Sequence, residues 1–500
     1  MSVPWAVHLR DGSDLASSPE EARSRLRAGN LPSVLLRGGT APALIAGERQ
    51  LSHDELADLA GRTAGGLGAL GLARGERVAI FAERSLDWIL GYLGLLRLGA
   101  IALPLNPDYT EREVEQILAD ARPAAVLCDP GRLELVRGLQ DRMPWLRRVI
   151  DLSSMALAPA PPWPSDGPDD PALIMYTSGT TGRPRGVLLD HGNLLAQARG
   201  VVEAWRWTSA DRLVHALPLF HIHGLAMGLT GTLVAGASLD LVQWSPAAVV
   251  QRLRAGGTMF FAVPAMYQRL CAHLEQEPAD LSSVRLFVSG SAPLPPALFE
   301  RCARLLGQSP LERYGLTEAG IIVSNPYDGP RRPGRVGHPL PGVEIGIGER
   351  GEILARGGQV FSGYLNPAPD ASVQVVDGWL HTQDVGEIDE DGSLAISGRL
   401  RDLIISGGYN VHPREVELIL EQHPGVREVA VAGVPSERWG EEVTAYVVGQ
   451  GPLSEEELIE HCRAQLAAYK CPRRIRFIQA VPRNAMGKVM RSVLDSAPPA

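Results

Sequence analysis

The chain has 500 residues with 48 basic and 57 acidic side chains, a net charge of −9 and a pI near 5.8. That balance argues against a general partner for nucleic acid or an anionic membrane, so a small anionic substrate would need locally placed cations. The length exceeds one ordinary core, so two or three domains with room for a deep cleft are expected.

Cysteines 128, 271, 302, 462 and 471 show no CxxC spacing; they suggest neither a zinc site nor a disulfide framework and fit a reducing cytoplasm. The opening MSVPWAVHLRDGSD has no basic region followed by an apolar stretch and does not read as a secretory signal. Further on, SLDWILGYLGLLRLGAIALPL is interrupted by Asp87 and Arg97, and LAMGLTGTLVAGASL (225–239) is too short for a membrane span. Both read as buried core. In YTEREVEQILADARPAAVLCD, Thr110 and Glu113 form a capping box, and Val114, Ile117, Leu118 and Ala121 recur at helical spacing. Pro123 then ends the helix before the strand AAVLC. Such alternation predicts an α/β fold, a large N-terminal domain of mostly parallel sheets with packed helices. Residues 156–171, ALAPAPPWPSDGPDDP, read as a surface linker.

After that segment comes LIMYTSGTTGRPRGVLLDHGNL. Gly179, Gly182 and Gly186 interleave with Thr177, Ser178, Thr180 and Thr181, giving a pliant backbone and hydroxyl donors suited to a polyphosphate. GxxxxGK[ST] cannot be laid on it, so it is not a Walker loop. The string resembles the signature loop of the adenylate-forming superfamily: acyl-CoA synthetases, adenylation domains and luciferases. Arg185 stands where that family usually has lysine, keeping the positive charge.

The resemblance continues in the family's order. ALPLFHIHGL (216–225), with His221 and His223, looks like the segment bordering the acid pocket. VRLFVSGSAPLP, with Ser289, Ser291, Ala292 and Pro293, and ERYGLTEAG, with Glu312, Arg313, Tyr314, Gly315, Thr317 and Glu318, look like the adenine and metal segments. The resemblance implies Tyr314 stacked on adenine, Thr317 on the α-phosphate, and Glu318 with Thr181 on Mg²⁺; the other residues from Ser291 to Gly315 join the ATP site. An aromatic face suits a purine, and a carboxylate suits a hard cation bridging phosphates. In WLHTQDVGEIDEDGSLAISGRLRD, Asp384 matches the aspartate that accepts from the ribose hydroxyls and Arg399 an arginine on ribose or phosphate. The usual TGD is TQD here, so Gln383 replaces a glycine.

A composition change near Gly398 to Asp402 marks a domain boundary between a large domain at 1–398 and a small α+β unit at 403–500; the resemblance implies that 399–402 is a hinge and the small unit a mobile lid. Beyond it lie strands REVAVAGV and EVTAYVVG, a helix opened by Ser454 with Glu457 three positions on, and the strand RIRFIQAV. Asp402 matches the family's hinge, and Ser406, Gly407, Gly408 and Tyr409 match a coenzyme A loop. Lys488, in VPRNAMGKVMR, is one of only two lysines, the other being Lys470. In the family the matching lysine contacts the substrate carboxylate and the α-phosphate. A compact ammonium fits between two anions where a planar guanidinium would not.

The resemblance thus implies an ATP- and Mg²⁺-dependent ligase that forms an acyl-adenylate, then a coenzyme A thioester, releasing pyrophosphate and AMP. Among its branches the segments look most like malonyl-CoA synthetases, with Arg285 as the cation for a distal carboxylate and His221, His223 and Ser289 beside it. A fatty or aryl acid is the alternative, and a nucleotide-binding protein without catalysis a further one. The partners expected are a small carboxylic acid, no nucleic acid and no membrane, in a monomer or homodimer.

Overall fold

The computed structural model describes residues 4–177, 184–366, 373–406, 409–436, 438–483 and 489–500. It is a mixed α/β molecule in which the strands of the described residues form three sheets. In the first, Arg77–Phe81, Ile101–Pro104, Ala125–Cys128 and Arg148–Asp151 run parallel, extended by the antiparallel hairpin Pro171–Thr177 and Arg185–Asp190. Ile101–Pro104 and Ala125–Cys128 are buried at every residue, as strands must be when helices cover both faces of a parallel sheet. The helix before the latter spans Glu111–Ala121, with the Thr110–Glu113 capping box formed and the four predicted apolar positions buried.

The second sheet sets Arg212–His215, Met259–Ala262, Leu286–Ser289 and Leu311–Leu316 side by side in parallel, then continues into antiparallel strands through Leu394–Arg399. Ligand crevices in such sheets form beyond the carboxyl ends of the parallel strands. One core joins the two large sheets through helices His53–Ala69, Leu86–Leu98 and His191–Ala204. Residues 225–239 are interior, not membrane-facing: His223–Leu229 forms a π-helical turn and Thr230–Ala235 a helix, both buried almost throughout. Among the described residues no helix is long and apolar enough to cross a membrane. The third, smaller sheet holds Val426–Ser436 antiparallel to Gly440–Gly449, with Arg474–Phe477 parallel to the latter, over its own apolar core.

The proline-rich segment read as a surface linker does run over the surface, and it is tied down there as a strap. Arg97 of the second long helix donates from Nη1 to the Pro162 carbonyl (2.9 Å) and from Nη2 to that of Pro161 (2.7 Å), and Trp163 lies 3.9 Å over its guanidinium. A Cβ on Gly66 would meet the Ala156 carbonyl oxygen at 1.9 Å, so the missing side chain is what allows the strap to lie this close. Arg97→Ala is expected to lower stability by about 1–3 kcal/mol and to speed proteolysis within 156–165, read by melting temperature and fragment mapping.

Candidate active site

Four strand ends and the turns after them build the crevice. Leu286–Ser289 delivers Ser289, fully buried with its Oγ unpartnered, and then Gly290, Ser291, Ala292 and Pro293. Ser291 holds the left-handed backbone conformation at φ 69°, unusual without glycine and frequent where strain serves a site. Its Oγ accepts from Arg313 Nη2 (3.3 Å) and lies 3.2 Å from His223 Nδ1. His223 opens the buried π-helical turn, a geometry common at functional positions, and its backbone N–H donates to His221 Nδ1 (3.3 Å).

Arg313 is the electrostatic centre of this wall. Leu311–Leu316 alternates its side chains, sending Arg313 to one face and Glu312 and Tyr314 to the other. The guanidinium is buried, its Nε has no hydrogen-bond partner, and among the described residues no carboxylate pairs with it. Burial alone lowers its pKa to about 9, leaving it charged at neutral pH. A Cβ on Gly290 would stand 2.4 Å from the guanidinium carbon, so glycine is needed there. Burial and the neighbouring Arg313 charge hold the His223 imidazole well below its ordinary pKa, so it is neutral, and its Nε2 is unpartnered. Ser291, His223 and Arg313 thus meet in one polar wall, whereas Ser289, in register with Glu312, faces the other side of the sheet.

Arg285, expected beside them, is elsewhere. It precedes the same strand at the end opposite Ser289, about 13 Å away at strand rise. Its Nε and Nη2 are forked onto Asp211 at 2.6 and 2.7 Å, and its Nη1 donates to the Trp205 carbonyl. A bidentate guanidinium at the far edge of the sheet is a structural ion pair, so the assignment of Arg285 to the acid pocket is corrected.

On the other face, the Tyr314 hydroxyl donates to Asp384 Oδ2 (2.7 Å) and Arg399 Nε to Oδ1 (2.9 Å). Both oxygens retain a lone pair for a diol. Glu318, in the turn after Leu311–Leu316 with Thr317, accepts from the Tyr364 hydroxyl (2.9 Å); Tyr364, which the sequence reading missed, also faces Arg185 across 5.9 Å. Glu318 is nearly buried, and as a hard oxygen donor its carboxylate is of the kind that would hold Mg²⁺. Thr177 and Arg185 oppose each other at the base of the phosphate hairpin; Ser178, Gly179, Thr180, Thr181 and Gly182 lie outside the described residues.

Arg399 ends its strand and leads into Asp402, which faces Arg401 (3.5 Å) and Arg491 (3.7 Å). Ser406 ends the strand Ile404–Ser406 and Tyr409, 58% exposed, stacks on Tyr469 at 4.7 Å; Gly407 and Gly408 lie outside the described residues, as does Lys488. The other lysine, Lys470, is ion-paired to Glu415 within the small sheet's unit.

With this geometry in view, comparison decides the family. Residues 35–365 match the family model described as AMP-binding enzyme, and 415–488 match the AMP-binding enzyme C-terminal domain. The chain belongs to the AMP-binding, adenylate-forming enzymes. Its relatives are named CoA ligases, and it is an AMP-forming acid–thiol ligase. A mitochondrial malonate–CoA ligase of Bos taurus is 34% identical, covering 83% of this chain and 80% of that protein. A feruloyl-CoA synthase of Amycolatopsis sp is 35% identical, covering 93% and 96%. ATP-bound MatB from Rhodopseudomonas palustris superposes with a TM-score of 0.88 at 36% identity, covering 94% of this chain and 98% of that one; its apo form gives 0.79.

Glu312 adds a pH signature. Burial pushes its carboxyl up to about 7, against a hydrogen bond from the Leu294 N–H. The unfolded chain releases this proton near 4.5 while the folded one keeps it, so its contribution to stability is present below pH 4.5 and is lost as pH rises toward 7. Melting curves of Glu312→Gln are expected to fall less steeply than the parent's between those pH values.

Proposed function

We propose that this ligase activates a short dicarboxylic acid, malonate or methylmalonate, and that Arg313 receives the carboxylate that does not react. The observation that carries this reading is the buried Arg313 guanidinium with no carboxylate beside it among the described residues. A monocarboxylic acid would leave it uncompensated, whereas a distal carboxylate would complete a buried pair whose loss costs several kcal/mol. Neutral His223 and the Ser291 hydroxyl would complete the carboxylate's hydrogen bonds. The feruloyl-CoA synthase relative means that family membership alone leaves an aryl acid open, so the charge inside the pocket is what favours the dicarboxylate.

In the first half-reaction the near carboxylate attacks the α-phosphorus of ATP and pyrophosphate leaves. Tyr314 would lie on the adenine, Asp384 and Arg399 on the ribose, and Thr317 with the 177–185 hairpin on the phosphates. Glu318 would hold Mg²⁺, whose charge offsets that of the phosphates. The Lys488 ammonium would sit between the two repelling anions. Next the small domain would turn about Asp402, withdrawing Lys488 and bringing up residues 406–409, so that the coenzyme A thiol attacks the acyl carbonyl and AMP leaves. The free, buried cysteines fit a reducing cytoplasm.

Two variants test this. Arg313→Met should cut kcat/KM for malonate by about a hundredfold or more while affecting butyrate far less; equal losses for both acids would remove the dicarboxylate reading. Lys488→Ala should lower ATP–pyrophosphate exchange by roughly a hundredfold or more, yet leave thioester formation from preformed acyl-adenylate intact.

A further inference from the structure

Gln383 occupies a position where the backbone asks for glycine. Its φ is 62°, in the left-handed region that a side chain with a Cβ avoids, and it directly precedes Asp384. Glu352, at the start of the neighbouring strand Glu352–Arg356, compensates. Its Oε1 accepts from both the Gln383 backbone N–H (3.0 Å) and the Gln383 side-chain amide (2.8 Å). Its Oε2 lies 2.8 Å from His381 Nδ1. The carboxylate is only 7% exposed, so these contacts are shielded from competing water. The strand pairing slips register between Glu352 and Leu354, where a bulge re-aims the side chains of the opposing strand. On the far side of Gln383, Asp384 takes the hydrogen bonds of Tyr314 and Arg399.

We propose that Glu352 is a positioning residue for the nucleotide: it clamps Gln383 in the left-handed conformation and thereby fixes the peptide that aims the Asp384 carboxylate. The proposal rests on the reading of Asp384 as the ribose acceptor. It follows from a conflict within the chain: glutamine resists the turn that Asp384 needs, and one buried carboxylate holds both of glutamine's donors to enforce it. A glycine at 383 would adopt the same turn unaided and would make the clamp dispensable.

The test is a cycle of Glu352→Ala, Gln383→Gly and their combination in the full-length enzyme, with Asp384→Asn as reference. Glu352→Ala should raise KM for ATP on the order of tenfold while KM for the acid stays within about twofold, since a lost ground-state contact to the nucleotide acts on KM. Adding Gln383→Gly should bring KM for ATP back to within about twofold of the parent, a rescue that a generally loosened fold would not give. An unchanged KM for ATP in Glu352→Ala, or a double variant as impaired as the single one, overturns the clamp. If Asp384→Asn raises KM for ATP while Glu352→Ala does not, only the clamp falls; if Asp384→Asn also leaves it unchanged, the ribose reading fails and takes the clamp with it.

Discussion

A buried positive charge with no carboxylate beside it among the described residues is the constraint on which the site depends. Desolvating a guanidinium is costly, and a fold normally offsets that cost with a carboxylate. Asp211 does so for Arg285 and Glu417 for Arg491. Arg313 has no such partner among the described residues; it has one long hydrogen bond to a serine, a glycine against its plane and a neutral histidine nearby. On the proposed reading, the distal carboxylate of the substrate supplies the missing negative charge.

Strand geometry keeps the two ligand ends of the crevice apart. Because side chains alternate along Leu311–Leu316, one short segment presents Arg313 to one side, where the proposal puts the acid, and Tyr314 to the other, where it puts the nucleotide. Tyr314 then ties its strand to Asp384 and, through Arg399, to the segment leading into Asp402. Glu318 and Tyr364 make a second bridge, from the second sheet toward the base of the phosphate hairpin. A nucleotide seated between these bridges would touch both large sheets and the approach to the small domain, which is how one binding event can bias a conformational step.

Elements with a local physical cause were legible in the sequence. The Glu111–Ala121 helix follows from its capping box and apolar spacing, and the parallel strands from short apolar runs. Placement across the fold was harder. Arg285 and Arg313 are both arginines in resemblance-bearing segments, and only strand direction separates them: one precedes its strand, the other faces the wall formed at strand ends. Reading period-two alternation through ERYGLTE would have set Arg313 apart from Glu312 and Tyr314. The 156–171 strap has the composition of a linker, and its partner Arg97 lies some sixty residues earlier, beyond any local signal. Gln383 was visible as a departure from glycine, but the compensating Glu352 is a long-range contact that only the folded sheet brings near.

The most direct measurement of the central claim is an initial-rate panel of coenzyme A-dependent AMP formation with malonate, methylmalonate, octanoate and benzoate as the acid. A buried Arg313 with no carboxylate beside it among the described residues predicts, on the proposed reading, that the two dicarboxylates exceed the others in kcat/KM by about a hundredfold. Turnover of octanoate or benzoate at rates above both dicarboxylates would contradict it.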